Sequence, residues 1–176
     1  GDAVTYSISG GVDQAKFTIN ATTGFLHFTS APDFETPTDV GADNHYMVIV
    51  RASDGSLHDE QTITVTVTNA NDAPVITSNG GGTTAAKSVA ENQKTVTTVA
   101  ASDADGDALT YSLSGGDDQA KFSINATTGV LTFTSAPDFE NPTDKGTNNT
   151  YIVKVRASDG SAHDEQTITV TVTNAN

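Results

Sequence analysis

Cysteine and tryptophan are both absent from the 176 residues, and methionine occurs once. Without cysteine there is no disulfide, no thiolate-ligated zinc and no thiol catalysis. Basic residues are scarce, with 8 Lys and Arg against 22 Asp and Glu, a formal net charge of -14. So acidic a chain is repelled by phosphate backbones and anionic lipid surfaces, which argues against nucleic acid binding and polybasic membrane docking. No apolar run approaches the ~20 residues of a membrane span. No basic region followed by an apolar stretch opens the chain, so no signal peptide is visible and an export signal lies elsewhere or has been removed. Helical apolar spacing is missing over any useful length.

Catalytic signatures are missing as well. No Gly-x-Ser-x-Gly elbow is present. The run Asn79-Gly80-Gly81-Gly82 lacks the lysine and spacing of a phosphate loop and reads as a flexible loop. The Gly-Gly-x-Gly-x-Asp calcium nonapeptide of solenoids is absent. Paired carboxylates can hydrolyse glycosides, but a chain without tryptophan has poor means of building a sugar platform. The expectation is a protein that is not an enzyme.

What is present is β-forming. Threonine occurs 29 times, and the 35% hydrophobic content is concentrated in alternating runs. The dominant feature is an internal repeat: residues 1–71 align without a gap to 106–176, a period of 105, and differ at 14 positions. That period is too long for a small solenoid unit and suits one β-sandwich domain. The expected division is therefore 1–71, a repeat lacking its first two strands, and 72–176, a complete repeat. An excerpt of a longer tandem array explains the incomplete copy; otherwise its open strand edges need cover from a neighbouring chain or a rearranged strand.

Seven strands are expected in the full unit: 74–77, 95–100, 109–114, 121–125, 130–134, 151–157 and 165–173. In the last, Thr167-Ile168-Thr169-Val170-Thr171-Val172-Thr173 alternates strictly, with Ile and Val inward and Thr toward water. Ile49 in one copy becomes Lys154 in the other, so that face of its strand is wet. Asn20-Ala21-Thr22-Thr23-Gly24 and its twin 125–129 are turns. They also match the N-glycosylation pattern, which is common by chance. Asp13, Asp39, Asp43, Asp117, Asp118 and Asp144 read as solvating surface residues, Asp59-Glu60 and Asp164-Glu165 as solvated turn residues, and His58 and His163 as exposed turn histidines.

The remaining carboxylates form clusters near strand ends. Glu91-Asn92 precedes a strand and Asp103-Ala104-Asp105-Gly106-Asp107 follows it. Asp138-Phe139-Glu140, with its twin Asp33-Phe34-Glu35, lies in the long loop before the sixth strand. Asp159, twin of Asp54, ends that strand, and Asn69-Ala70-Asn71-Asp72-Ala73-Pro74 joins one unit to the next. Five motifs in this order at one-domain spacing resemble the cadherin repeat, in its bacterial cadherin-like form. The resemblance covers the whole chain. It implies an all-β, Greek-key, seven-stranded β-sandwich of cadherin-like or immunoglobulin-like type, repeated in tandem, and Ca²⁺ held where two domains meet.

Carried over by motif, the upstream domain contributes Asp33 and Glu35. The linker contributes Asn69, Asn71 and Asp72, with backbone oxygens of Ala70 and Ala73. The downstream domain contributes Asp103, Asp105, Asp159 and a backbone oxygen near Gly106. Glu91, Asp138, Glu140, Asn174 and Asn176 form half of a further joint. The linker departs from the family pattern: Asn69 stands where the family has Asp, and one residue is missing before the proline, so one ion of three is in doubt. The chemistry is sound on its own terms, since Ca²⁺ takes six to eight hard oxygens. At an effective dielectric of ~20 and ~5 Å, each like-charge carboxylate pair costs about 3 kcal/mol, so a cluster of six needs cations.

The resemblance implies an extender or adhesion segment of a large secreted or surface-attached bacterial protein, stiffened by Ca²⁺ at each joint, with adjacent repeats of the same chain as its first partners. A calcium-dependent module that binds carbohydrate or a cell-surface protein, and homophilic self-association, are the alternatives.

Overall fold

The structure, a computed structural model, describes residues 3–175. It divides into two compact units, Gly1–Ala70 and Asn71–Asn176, each taken by itself below.

Unit 2 is a sandwich of two main sheets. Its strands are β6 (Val75–Ile76), β7 (Thr84–Ala90), β8 (Thr95–Thr98), β9 (Ala101–Ser102), β10 (Thr110–Gly115), β11 (Phe122–Ile124), β12 (Val130–Phe133), β13 (Thr150–Ser158) and β14 (His163–Thr173). One sheet has the order β10-β13-β14-β7, the other β11-β12-β8, and β6 pairs with β9. Two of the seven expected strands are each split between sheets. The strand foreseen at 74–77 is only the first half of an edge element, whose second half, β7, runs parallel to β14. Thr84-Ala85-Ala86-Lys87-Ser88 is too short of large apolar residues to read as a strand; its pairing comes from the neighbouring β14. The strand foreseen at 95–100 breaks at Val99-Ala100, so that β8 joins β12 and β9 joins β6. Gly129 makes this crossing possible. Its φ of +68° suits glycine, and a Cβ there would collide with the Val99 carbonyl oxygen.

The alternation expected of the last strand holds. Ile168, Val170 and Val172 are buried between the sheets against Leu131, Phe133, Tyr151, Val153 and Val155. The Phe122 and Phe133 rings stack at 4.5 Å, and Tyr151 meets Phe133 edge-on at 5.1 Å, an arrangement that adds to plain area burial. The Tyr151 hydroxyl accepts the Thr143 N–H. Among the described residues the helical segments are three short 3-10 turns, at Gln14–Lys16, Ser78–Gly80 and Gln119–Lys121.

The glycine run expected to be a flexible loop is instead clamped. Asn79, Gly80, Gly81 and Gly82 all have positive φ, and they wrap the fully buried Gln166. Its Nε2 donates to the Gly82 carbonyl over 3.0 Å, while Asn79 Nδ2 donates to its Oε1 over 3.2 Å. Thr97 Oγ1 donates in turn to Asn79 Oδ1.

Unit 1 repeats the later strands only: β1 (Thr5–Gly10), β2 (Phe17–Ile19), β3 (Leu26–Phe28), β4 (His45–Ser53) and β5 (His58–Thr66). They pair as β1-β4-β5 and β2-β3. Its buried apolar core is Phe17, Tyr46 and Val48, with Ile63, Val65, Leu26 and Phe28 packed against it half-buried.

Four aspartates expected to be solvated are buried. Asp13 and Asp118 are 2% and 5% exposed, Asp39 and Asp144 6% and 3%. Asp118 Oδ1 accepts the Lys145 N–H at 2.7 Å and Oδ2 the Ile152 N–H at 2.8 Å; Asp13 does the same with Val40 and Met47. Asp144 accepts the N–H groups of Asn148 and Asn149, and Asp39 those of Asp43 and Asn44. These side chains staple the long loop to the sheet by satisfying buried backbone donors. Asp43 and Asp117 are exposed as expected. The two acidic pairs assigned to turns lie in strands: Asp164 Oδ2 accepts the Ile76 N–H, and Glu165 bridges Arg156 and Lys154 at 2.7 and 3.2 Å. His58 and His163 open strands β5 and β14 and are exposed.

Candidate metal sites

Unit 2 carries an acidic cluster at each end of β14. The strand's 11 residues separate the ends by roughly 35 Å at ~3.3 Å per residue.

Asp103, Asp105 and Asp107 gather near the start of β14, with one carboxylate oxygen of each within 4.8 Å of the others. The loop is folded by its own first residue: Asp103 Oδ1 accepts the N–H groups of Asp105 and Asp107 at 3.0 and 3.2 Å. Gly106 turns it with φ +77°. Asp103 Oδ2 is buried and has no hydrogen-bond partner. The linker is drawn onto this loop, since the Asp72 N–H donates to Asp105 Oδ2 at 2.8 Å. Asn71 Nδ2 donates to Asp159 Oδ2 and to the Asp72 carbonyl, each at 3.0 Å. Asp159 Oδ1 accepts Ser161 and Ala162 N–H groups at 2.6 Å. The Ala162 amide, then Asn71, hold the Asp159 carboxyl below the usual carboxylate range.

Glu91, Asp138 and Glu140 gather at the other end, again within 4.8 Å. Glu91 is 7% exposed. Its Oε2 accepts the Phe139 N–H at 3.2 Å and its Oε1 the Ala175 N–H at 3.0 Å, which ties the DFE loop and the chain leaving β14 to one carboxylate. Asn174 Nδ2 donates to Glu140 Oε1 at 2.8 Å. Asp138 is held by Asn141 and by the amides of Glu140 and Asn141, and the Asn141 side chain foremost lowers its pKa.

In unit 1, Asp33 shows the same local turn. Its Oδ1 accepts the Glu35 and Thr36 N–H groups, and its Oδ2 the Thr36 hydroxyl, which lowers its pKa. Glu35, Asn69 and Ala70 are exposed in that unit, as are Ala73 and Gly106 in unit 2. Asn176 lies outside the described residues. Asp107 is a cluster member that the motif-by-motif reading left out; its place two residues beyond Asp105 was the available signal.

The donor set is entirely hard oxygen, which suits Ca²⁺ and excludes soft-ligand metals. A buried carboxylate oxygen without a donor, among two other carboxylates, is the environment a cation resolves.

A cadherin domain profile matches residues 86–173. The chain belongs to the cadherin domain family. It is 32% identical over 179 residues to protocadherin Fat 2 of Rattus norvegicus, covering 97% of this chain and 4% of that protein. With protocadherin Fat 1 of Homo sapiens it shares 33% over 176 residues, 96% of this chain and 4% of that one. The chain thus spans about 4% of the length of these relatives. Human protocadherin-24 EC1-2 superposes with a TM-score of 0.62 at 22% identity, covering 100% of this chain and 84% of that one, a likeness of fold. This cadherin-like chain is an extracellular-type domain of the kind found in adhesion proteins, not an enzyme. Its all-β sandwich is the cadherin sandwich. Cadherin domains generally bind Ca²⁺, and both acidic clusters are present here. No helix among the described residues is long and apolar enough to cross a membrane.

Proposed function

We propose that this cadherin repeat pair is a calcium-rigidified extender or adhesion segment of a large secreted or surface-attached protein. The observation that carries the reading is the carboxylate cluster at each end of unit 2, one of which includes the buried, donorless Asp103 Oδ2. Clusters at both ends of a sandwich are what a head-to-tail array uses: each end is half of a joint. In this proposal Asp33 and Glu35 of unit 1 act with Asn69, Asn71, Asp72 and the carbonyls of Ala70 and Ala73. Asp103, Asp105, Asp159 and the backbone at Gly106 complete that set. Glu91, Asp138, Glu140, Asn174 and Asn176 serve the following joint. Bound Ca²⁺ supplies charge neutralisation; the protein's part is to hold the oxygens in place through the Asx-type turns of Asp103, Asp138 and Asp159. A bacterial host, suggested by the resemblance of the motif set to bacterial cadherin-like repeats, belongs to this proposal; the relatives described above are animal proteins.

The test is calorimetric titration of Ca²⁺ into the chain, paired with small-angle scattering with and without EDTA. Saturable binding and a longer, narrower distance distribution with Ca²⁺ are expected. Saturable binding with an unchanged distribution refutes stiffening, and no binding refutes the whole proposal.

A further inference from the structure

Asn79-Gly80 is the only Asn-Gly pair in the 176 residues. Glycine has no side chain to crowd its own nitrogen, and its backbone turns freely. A glycine nitrogen can therefore reach the side-chain carbonyl carbon of the asparagine before it. Gly80 is exposed and Asn79 half-buried, so water and solvent base have access to the pair. In the folded unit the attack is blocked twice over. Asn79 sits at φ +55°, ψ +31°. At that ψ the Gly80 nitrogen lies almost opposite Cβ across the Cα–C bond, whereas ring closure needs it beside Cβ. The required rotation is large, and the backbone around it is pinned. Thr77 and Ser78 N–H groups donate to the Ala100 carbonyl, and the Gly81 N–H donates to the Ser78 carbonyl. The side chain is pinned as well: Nδ2 donates to Gln166 Oε1 at 3.2 Å, and Oδ1 accepts the Thr97 hydroxyl at 2.9 Å.

We propose that Asn79 is a deamidation site and that the Gln166 clamp is its gate. When the clamp opens, the Gly80 backbone nitrogen attacks Cγ of Asn79 and gives its proton to solvent base. The side-chain nitrogen leaves as ammonia, which closes a five-membered succinimide. Water then opens the ring at either carbonyl. The products are aspartate, or isoaspartate, in which the main chain runs through Cβ. Ammonia is lost and water gained, and no oxidant or metal takes part. The reaction involves neither acidic cluster, so it stands apart from the calcium reading.

The product cannot rebuild the clamp. A carboxylate at position 79 has no N–H to give Gln166 Oε1, and Gln166 is fully buried, without water to take over. Turning the Gln166 amide over only moves the conflict, because Oε1 then faces the Gly82 carbonyl that Nε2 now serves at 3.0 Å. Isoaspartate also adds a backbone atom to a turn whose four successive residues all have positive φ. That turn leads into Thr83, whose carbonyl accepts the Thr167 N–H at 2.9 Å beside the β7–β14 pairing. Deamidation therefore loosens β7 and uncovers the outer edge of β14, an exposed edge of the kind that recruits other strands. It is a one-way mark of age on this repeat.

The test incubates the 176-residue chain at mildly alkaline pH beside a synthetic peptide of sequence 72–88, which has no clamp. Peptide mass mapping follows the exchange of ammonia for water at Asn79, and isoaspartyl methyltransferase labelling reports the isoaspartate. The rate in the chain should scale with the open population of the clamp, so the chain should react far more slowly than the peptide. Gln166→Ala should raise the chain's rate about tenfold, the worth of one buried hydrogen bond. Thr97→Val removes a single bond at nearly constant volume and should raise it in the same direction; it carries the test if Gln166→Ala does not fold. Exchange protection of Val153 and Val170 amides checks that each variant keeps its core. The deamidated chain, separated by anion exchange, should unfold at lower urea and lose exchange protection along β7. A chain that reacts as fast as the peptide overturns the proposal, as does a rate that folded Thr97→Val leaves unchanged. A deamidated chain with β7 still protected overturns it too.

Discussion

The buried aspartates give the sharpest test of the energetics. Asp118 is 5% exposed, and each of its carboxylate oxygens accepts one backbone N–H, Lys145 at 2.7 Å and Ile152 at 2.8 Å. A charge-assisted hydrogen bond contributes about 1.5–3 kcal/mol net, and an orphaned buried N–H costs about 1–3 kcal/mol. Asp118→Ala orphans two donors at once. Allowing for partial rehydration of the loop, unit 2 should lose about 3–5 kcal/mol, a large part of a typical domain's stability. Asp118→Asn keeps one acceptor and turns an N–H₂ against the other amide, so roughly half of that loss is expected. The assay is urea unfolding of the whole chain followed by amide resonances of unit 2 strands, for example Val153 and Val170, so that unit 1 does not blur the transition. Loss of exchange protection at Lys145 and Ile152 should accompany the shift in midpoint. A change within ~0.5 kcal/mol for Asp118→Ala, or equal losses for Ala and Asn, would refute the stapling argument.

Other outcomes follow from the same geometry. Asp103→Ala with Asp105→Ala should remove Ca²⁺ binding at that end of unit 2, and calorimetry should still find sites at the Glu91 end; full retention of stoichiometry counts against the assigned ligands. Glu165 is held at about 2 by Arg156, with Ser114 and Lys154 adding to it. A depressed carboxylate stabilises the fold above its unfolded value of 4.5 and loses that contribution as pH falls from there toward 2, so Glu165→Gln should flatten the acid limb of a stability–pH curve in that window. Gly129→Ala forces alanine into left-handed backbone against the Val99 carbonyl and should cost at least ~2 kcal/mol in urea unfolding. Gln166→Ala should destabilise unit 2 by about 1–3 kcal/mol by orphaning Gly82 and Asn79 partners.

Most of the sandwich was legible because its strands alternate. The Thr167–Thr173 stretch and the Tyr151, Val153, Val155 triplet declare a face by period alone. The β7 strand was not legible, because Thr84-Ala85-Ala86-Lys87 has little apolar contrast and owes its pairing to an edge more than 70 residues away. The split of 95–102 was hidden for a related reason: no local letter says that a strand changes sheets, and Gly129, which permits it, sits in a distant turn. Clusters at Asp103 and Glu91 were found from motif order, since short-range spacing such as Asp-Ala-Asp survives folding unchanged. Glu91, Asp138 and Asn174 meet only because the loop and the end of β14 converge on one carboxylate.

Aspartates were the residue type most misread, and the reason is physical. Asp118 and Asp103 both lie in short acidic runs, Asp117-Asp118 and Asp103-Ala104-Asp105, and nothing local separates them. What separates them is donors per oxygen. Both oxygens of Asp118 meet an N–H, so that carboxylate is satisfied by the fold itself. Asp103 spends two N–H groups on Oδ1 and leaves Oδ2 buried beside other carboxylates. A buried acceptor with no donor costs about 1–3 kcal/mol, more when charged, and nearby like charge adds to it. A cation at Oδ2 removes both costs at once, whereas one near Asp118 has nothing to relieve. Chelation should therefore divide the two by hydrogen exchange: with EDTA the amides of Asp105 and Asp107 should lose protection, and those of Lys145 and Ile152 should keep theirs. Equal loosening of both sets would mean that the metal supports the fold as a whole, and that counting donors does not tell a ligand from a staple.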